Sequence, residues 1–280
     1  CIDASPGHEI NLNSTAQIMC SLGDYQSESG QQNCIPASPG YHVPNLGSLS
    51  QTGCEPGTYQ PNFGASSCFD ASLGYFVEGS NATMQEACSP GTYQPNFGST
   101  SCEIASPGYY VDTFGSSLEE ACSVGTYNPS SGSDDISDCL ITDPGNYVDY
   151  EGAVTQSECP MGTFNPNSNS ITSNDCLSAD SGHYVENTGS SEQTPCEVGY
   201  YQPSTGQTFC LESSSGTYVP NTGSSSAMDC LAGTYQPDSG QDTCLDAEAG
   251  YFTSADRASS QMPCLAGSYQ SEIGSTSCIQ

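Results

Sequence analysis

The residues best suited to chemistry are 17 cysteines, and they recur at regular intervals along the chain. Successive separations alternate between 14 and 20 residues, except that the first 20 is 19 and two of the 14s are 17. Cysteines can serve as nucleophiles, metal ligands or disulfide partners. The spacings differ from the closely spaced cysteine pairs of zinc sites, and no nucleophile with a nearby base can be assembled. The pattern therefore indicates a disulfide framework, with no catalytic residue, no metal site and no enzyme.

The two intervals together define a repeat of 34 residues, or 37 where the shorter interval is 17. A fixed period of this size predicts an array of modules that contact their neighbours, with no single common core. We expect small disulfide-rich modules, mostly irregular with short β-hairpins, in an elongated linear array. The eight predicted repeats are 1–33, 34–67, 68–101, 102–138, 139–175, 176–209, 210–243 and 244–280.

Each repeat divides into a long half, across the interval of 19 or 20, and a short half, across the interval of 14 or 17. Both halves usually contain two glycines seven residues apart, and the second glycine is expected to supply a positive φ. An aromatic ring at the second position after the first glycine is predicted to be the main buried apolar surface. This ring position is occupied by Tyr25, Tyr59, Tyr93, Tyr127, Phe164, Tyr201, Tyr235 and Tyr269 in short halves, and by Phe76, Tyr110, Tyr147, Tyr184, Tyr218 and Phe252 in long halves.

Some long halves depart from these patterns. Glu9 and His42 stand at the ring position, and Ser14 and Arg257 replace the second glycine. Elsewhere Asn81 and Asn169 replace the second glycine, and asparagine tolerates the left-handed region. A valine usually follows the ring in long halves, which indicates a short strand entering a turn.

Composition indicates where such a chain works. Hydrophobic residues make up 34% and tryptophan is absent, so the cysteines must supply what burial cannot. Persistent disulfides require an oxidising environment, which predicts an extracellular or cell-surface protein. No stretch of about 20 apolar residues is present to span a membrane. Cys1 is already in phase with the repeat, so we expect a mature product or a segment of a longer array.

The charge is strongly acidic. Thirty-two acidic residues against one basic residue give a net charge of −31. Contacts to phosphates need cations, which argues against nucleic acid and anionic membranes as partners. Self-repulsion among these acids is expected to keep the array extended and soluble.

Two groups of side chains are candidate ion sites. His8, His42 and His183 lie one or two residues after the first glycine of long halves, and we interpret them as substitutions within the turn and ring positions. Four acids follow the valine of long halves, and a ladder of carboxylates for Ca²⁺ is a secondary hypothesis to a solvated acidic face. These four acids are Glu78, Asp112, Asp149 and Glu186.

Two acceptor sequons predict glycosylation. Asn13 opens Asn-Ser-Thr and Asn81 opens Asn-Ala-Thr. Asn81 stands at the second-glycine position, which is expected to be an exposed turn. Surface glycans are therefore predicted on the first and third repeats.

The cores Cys54-Glu-Pro-Gly-Thr-Tyr-Gln-Pro, Cys88-Ser-Pro-Gly-Thr-Tyr-Gln-Pro and Cys230-Leu-Ala-Gly-Thr-Tyr-Gln-Pro carry a family resemblance. They resemble the ephrin-receptor-like cysteine-rich repeat, which is related to the first submodule of tumour-necrosis-factor-receptor repeats. Similar arrays occur in large secreted proteins of marine microbes. The resemblance implies disulfides across the short halves, with Cys1 left unpaired or intermolecular. The implied pairs are Cys20–Cys34, Cys54–Cys68, Cys88–Cys102, Cys122–Cys139, Cys159–Cys176, Cys196–Cys210, Cys230–Cys244 and Cys264–Cys278.

The residues alone leave the pairing open. Pairing across the short halves leaves Cys1 without a partner, whereas pairing across the long halves leaves Cys278. The short halves are favoured because a closed loop with a polar bulge accommodates three extra residues more readily than a strut between modules.

The sequence favours a structural extracellular protein, a subunit or shaft segment of a filament, appendage or stalk, which assembles head to tail. The modules are alike, and none carries an unusual constellation of side chains. The alternative is an adhesin or receptor-like ectodomain that binds a protein or glycan. That function would place departures from the repeat together on one face.

Overall fold

A computed structural model describes residues 3–10 and 16–280, so Cys1, Asn13 and Ser14 lie outside the described part. The chain forms two compact units. The first comprises Cys1–Ser123, Asn128–Leu140 and Glu151–Val154, and the second comprises Val124–Tyr127, Ile141–Tyr150 and Thr155–Gln280. The described residues contain no helix that is long and apolar enough to cross a membrane.

Two-stranded antiparallel hairpins with two or three residues in each strand make up most of the described regular structure of the first unit. Each begins directly after the first glycine of a half, and no described hairpin extends into a larger sheet. The paired strands are His8–Ile10 with Gln17–Met19, Asp24–Tyr25 with Ile35–Pro36, Tyr41–His42 with Thr52–Gly53, Thr58–Tyr59 with Phe69–Asp70, Tyr75–Phe76 with Glu86–Ala87, Thr92–Tyr93 with Glu103–Ile104, and Tyr109–Tyr110 with Glu120–Ala121.

The second unit continues the same hairpin pattern. Its paired strands are Asn146–Tyr147 with Ser157–Glu158, Thr163–Phe164 with Leu177–Ser178, His183–Tyr184 with Thr194–Pro195, Tyr200–Tyr201 with Leu211–Glu212, Thr217–Tyr218 with Met228–Asp229, Thr234–Tyr235 with Leu245–Asp246, and Tyr251–Phe252 with Met262–Pro263. Thr126–Tyr127 and Leu140–Ile141 are two further two-residue strands. Two 3₁₀ helices lie in the two lengthened loops, Ile136–Asp138 in the first unit and Ser173–Asp175 in the second.

The local sequence explains why the strands are so short. In the second repeat a turn brings the amide of Tyr41 to the carbonyl of Ser38 (2.9 Å), with Gly40 at φ 84°. The amide of Cys54 closes the hairpin on the carbonyl of Gly40 (2.9 Å). Pro44 follows Val43 and has no amide hydrogen to continue a strand. Short strands and turns are therefore what the glycine and proline spacing dictates.

Disulfides close every short half of the described chain. The bonds join Cys20–Cys34, Cys54–Cys68, Cys88–Cys102, Cys122–Cys139, Cys159–Cys176, Cys196–Cys210, Cys230–Cys244 and Cys264–Cys278. These are the pairs that the family resemblance implies.

Successive repeats stack in register through their backbones. The amide of Gly57 donates to the carbonyl of Val77 (2.8 Å), and the amide of Gly98 donates to the carbonyl of Ala71 (2.8 Å). A Cβ on Gly57 would lie 2.1 Å from the carbonyl oxygen of Gly98, and Gly57 also has a φ of 84°. This first glycine is therefore required both by its left-handed backbone and by the approach of the next repeat.

The second-glycine position adopts positive φ, as the sequence predicts. Asn81, Asn169 and Arg257 take φ values of 59°, 57° and 62° at this position. Asparagine visits the left-handed region more readily than most residues. Nothing in the structure explains why an arginine stands at 257.

The rings are not the most deeply buried side chains of the described repeats. Most rings are half-buried, although Tyr110 is buried and Tyr269 is exposed. The fully buried positions hold small side chains, because stacked backbones approach too closely for rings between them. The buried residues of the three main positions are Ala4, Ala37, Ala71, Ala105, Thr142, Ala179, Ser213 and Ala247; Val43, Val77, Val111, Val148, Val185, Val219 and Thr253; and Cys20, Cys54, Cys88, Cys122, Cys159, Cys196 and Cys230.

Candidate functional site

The candidate site is an open cavity that recurs beside four of the disulfides of the described chain. In each of these cavities the ring position of a long half lies near the second cysteine of the short half that follows. Phe76 shares such a cavity with Cys102, and Tyr184 shares one with Cys210. The same positions of the repeat thus line several cavities, but the side chains at these positions differ from one cavity to the next.

A buried amide side chain holds the loop that forms one wall of the cavities beside Cys68, Cys102 and Cys210. Gln60 is buried and donates from Nε2 to the carbonyl of Ser67 (2.7 Å), while its Oε1 accepts from the amide of Asn62 (3.0 Å). The disulfide at Cys68 fixes the neighbouring end of the same loop. Equivalent buried amides are Gln26, Gln94, Gln202 and Gln236.

Sequence reasoning missed these amides, although a signal was present. Each follows an aromatic residue, as in Gly-Thr-Tyr-Gln-Pro. A polar residue repeated at one phase of a short, otherwise apolar segment indicates a buried hydrogen-bonding role, because buried amides must be satisfied.

Glu9 and His42, which replace the ring, occupy the place of the ring in their hairpins. A carboxylate oxygen of Glu9 accepts from the amide of Cys34 (3.0 Å). Nδ1 of His42 lies 3.3 Å from Sγ of Cys68. At Tyr110 the ring is retained and its hydroxyl donates to a carboxylate oxygen of Glu120 (2.9 Å), which raises the pKa of Tyr110. In these three cases the polar atom lies close either to the second cysteine of the short half that follows or to the residue paired across the hairpin.

His42, Cys54 and Cys68 bring three potential metal-ligand atoms close together. Among the described residues they are the one group of three or more His, Cys, Asp or Glu side chains with ligand atoms within 4.8 Å of one another. Both sulfurs belong to one disulfide, so neither is a thiolate that could bind a metal ion. The arrangement therefore places a histidine against a disulfide and does not define a metal centre.

The cavity beside Cys210 has the most aromatic lining of those described. Three rings, Tyr184, Tyr200 and Phe209, line it together with the carboxylates of Glu186 and Glu197. Tyr184 is half-buried, whereas Tyr200 and Phe209 are more exposed. Rings and carboxylates around one open cavity can attract a cation.

The other sequence-predicted site residues are dispersed. Glu78, Asp112, Asp149 and Glu186 are all exposed, and the Ca²⁺ hypothesis stays a prediction. Asn81 is an exposed turn residue, which suits the predicted glycan.

The two remaining histidines each contact their own turn. Nδ1 of His8 lies 3.2 Å from the carbonyl oxygen of Pro6, and Nδ1 of His183 lies 3.4 Å from that of Ser181. Neither belongs to a group of potential metal ligands among the described residues.

Comparison with known families supports the repeat class. Residues 182–230 match a family described as tyrosine-protein kinase ephrin type A/B receptor-like. The match contains the cavity beside Cys210. No curated protein matches the chain. Together with eight disulfide-bonded short halves, the match shows that the chain is a cysteine-rich repeat array, of a kind typical of extracellular, disulfide-rich ectodomains.

Proposed function

We propose that this chain is a structural shaft segment of an extracellular filament, appendage or stalk. The observation that carries the proposal is the stacking of repeats through backbone groups, which any identical repeat can continue. In the stacked repeats the carbonyl group of a later repeat lies against the first glycine, at the place where a Cβ would stand, as that of Gly98 lies against Gly57. A scaffold of this type sets spacing and needs no particular side chain at its surface.

The same stacking contact recurs along the chain, since a Cβ on Gly199 would meet the carbonyl oxygen of Gly240 just as one on Gly57 would meet that of Gly98. We propose that copies of this chain assemble head to tail by extending this contact from one copy to the next. Contacts of this heterologous kind do not close and yield open filaments.

Sedimentation of the purified chain tests the assembly. We expect association to increase with concentration and with salt, because salt screens repulsion between chains of charge −31. Gly250→Arg should abolish association, because a side chain at this first-glycine position would occupy the place that the stacking carbonyl takes in other repeats. Gly79→Arg is the control, since a Cβ on Gly79 would meet nothing within 4 Å and Gly79 lies outside the stacking positions.

Electron microscopy of the same samples should show filaments for the parent chain and for the control variant. A parent chain that stays monomeric at every concentration and salt would contradict head-to-tail assembly.

A second function, a receptor-like ectodomain that binds a ligand, is favoured by one observation. The cavity beside Cys210 differs from its counterparts in carrying three rings, and it lies within the segment that matches the receptor-like family. Binding at one repeat is compatible with a spacing role for the others.

A further inference from the structure

We propose that the cavity beside Cys210 binds a quaternary ammonium group. Its lining combines Tyr184, Tyr200 and Phe209 with Glu186 and Glu197. Aromatic faces attract organic cations within about 6 Å of the ring centre, and quaternary ammonium ligands are bound by several rings together. The carboxylates add long-range attraction for a positive charge. This inference goes beyond the shaft function and does not depend on it.

Backbone and disulfide contacts hold the three sides of the cavity. The amide of Val185, between Tyr184 and Glu186, donates to the carbonyl of Gln207 (2.9 Å). The Cys196–Cys210 disulfide joins the chain next to Glu197 to the chain next to Phe209.

Two further contacts complete the frame. Buried Gln202 donates from Nε2 to the carbonyl of Phe209 (2.8 Å), and the amide of Tyr200 donates to the carbonyl of Glu197 (3.0 Å). The backbone that carries the three rings is therefore fixed before any ligand arrives, which lowers the cost of binding.

The residues that line the cavity include two carboxylates and no basic side chain. Arg257 is the only basic residue, and its ion pair in the described structure is with Asp229 at 3.9 Å. Glu186 and Glu197 are exposed and take part in no ion pair among the described residues. A small metal ion would need several converging oxygens, and within residues 3–10 and 16–280 these two carboxylates belong to no group of three metal-ligating side chains. An organic cation, which can contact rings and carboxylates at once, fits the lining better.

Equivalent cavities in other repeats provide the comparison. Beside Cys102 the positions of Tyr200 and Phe209 are taken by Thr92 and Ser101, which leaves Phe76 as the one ring of that cavity. Beside Cys68 the same two positions hold Thr58 and Ser67, and His42 stands at the ring position. The backbone frame is shared, since Gln94 donates to the carbonyl of Ser101 (2.7 Å). The three-ring lining is thus a property of the Cys210 cavity among those described.

The test is titration of the intact chain with choline, followed by NMR of the ring protons. We expect shifts of Tyr184, Tyr200 and Phe209 and none of Phe76, whose cavity is the internal control. Tyr200→Thr and Phe209→Ser should each weaken binding roughly two- to fivefold, and the double variant by about tenfold or more. Both variants introduce residues that the equivalent positions already carry, so the hairpins should fold as before.

A neutral ligand of the same shape separates charge recognition from hydrophobic contact. 3,3-Dimethyl-1-butanol should bind at least fivefold more weakly than choline, and Glu186→Gln with Glu197→Gln should reduce this preference. Equal binding of the two ligands, or unchanged binding of choline to the Tyr200→Thr/Phe209→Ser chain, would overturn the proposal.

The source of the ammonium group is resolved by a second pair of probes. A peptide with trimethyllysine is compared with choline and with the unmodified peptide. Tighter binding of the trimethylated peptide assigns the group to a protein partner. Binding no tighter than that of choline assigns it to a free solute.

Discussion

Two kinds of disulfide loop occur in the described part of the chain, and their difference shows how the array accommodates inserted residues. Six loops join cysteines 14 residues apart and two join cysteines 17 apart. The Cα atoms of the bonded cysteines are 5.8 Å apart at Cys88–Cys102 and 5.6 Å apart at Cys122–Cys139. Three extra residues therefore leave the closure almost unchanged.

The buried amide side chain differs between the two kinds of loop. In the shorter loop Gln94 donates from Nε2 to the carbonyl of Ser101 (2.7 Å). In the longer loop Asn128 donates from Nδ2 to Oγ of Ser133 (2.8 Å) and to the carbonyl of Tyr109 (3.2 Å). In the longer loop the hydroxyl of Ser133 is the acceptor, and asparagine, which is one methylene shorter than glutamine, reaches it.

The inserted residues lie outside the buried positions. They form the 3₁₀ helices Ile136–Asp138 and Ser173–Asp175, which contain no buried residue. Each has a capping box, with Asp135 or Thr172 as the N-cap. Because side chains within each insertion hydrogen-bond to its own backbone amides, the longer loops leave the stacking of the repeats unchanged.

The largest expected effect is the loss of a disulfide, and it tests whether the loops are equivalent. Cys88→Ser/Cys102→Ser and Cys122→Ser/Cys139→Ser should each destabilise the affected repeat by about 3 kcal/mol. Loop length alone predicts a difference of only about 0.2 kcal/mol between them. Hydrogen exchange of the stacking amides measures this local stability. A difference above about 1 kcal/mol would show that packing around the loops, and not closure, dominates.

Exchanging the amides should have an intermediate effect. Gln94→Asn removes the reach to the carbonyl of Ser101, and Asn128→Gln overfills a buried site, so each should cost about 1–3 kcal/mol. Urea unfolding or hydrogen exchange measures the cost. Gln270→Asn is the matched control, because Gln270 makes the equivalent bond to the carbonyl of Ser277 (2.8 Å) in a half-buried, wetter place. If both glutamine changes cost the same, burial of the amide is not the cause.

The sequence predicts the fold class far better than the details of the core. Cysteine and glycine positions predict short hairpins and positive φ because those residues restrict the backbone directly. Ala71 was missed as a core residue because its burial depends on how closely the next repeat approaches, which no local pattern reports. For the same reason the three rings beside Cys210 could not be placed together, since Tyr184, Tyr200 and Phe209 come from different turns and strands.

The smallest expected effect concerns the two caps, which differ in charge. Thr172→Ala should cost about 1 kcal/mol, because the hydroxyl accepts from the amide of Asn174 (3.3 Å). At the other helix the amide and hydroxyl of Ser137 hold the pKa of Asp135 below its ordinary value. The ionised carboxylate is thus the form that the folded loop favours.

The stabilisation from Asp135 is fully present above the ordinary pKa of an aspartate and is lost as pH falls through the lower folded pKa. Amide exchange at Ser137 should therefore speed up on acidification, relative to the intrinsic rate, before the amide of Asn174 responds. Asp135→Asn, which keeps a capping oxygen without the charge, should remove the acid sensitivity at Ser137. Parallel pH profiles at the two caps in the parent chain would contradict this difference, since only one of the two N-cap side chains can titrate.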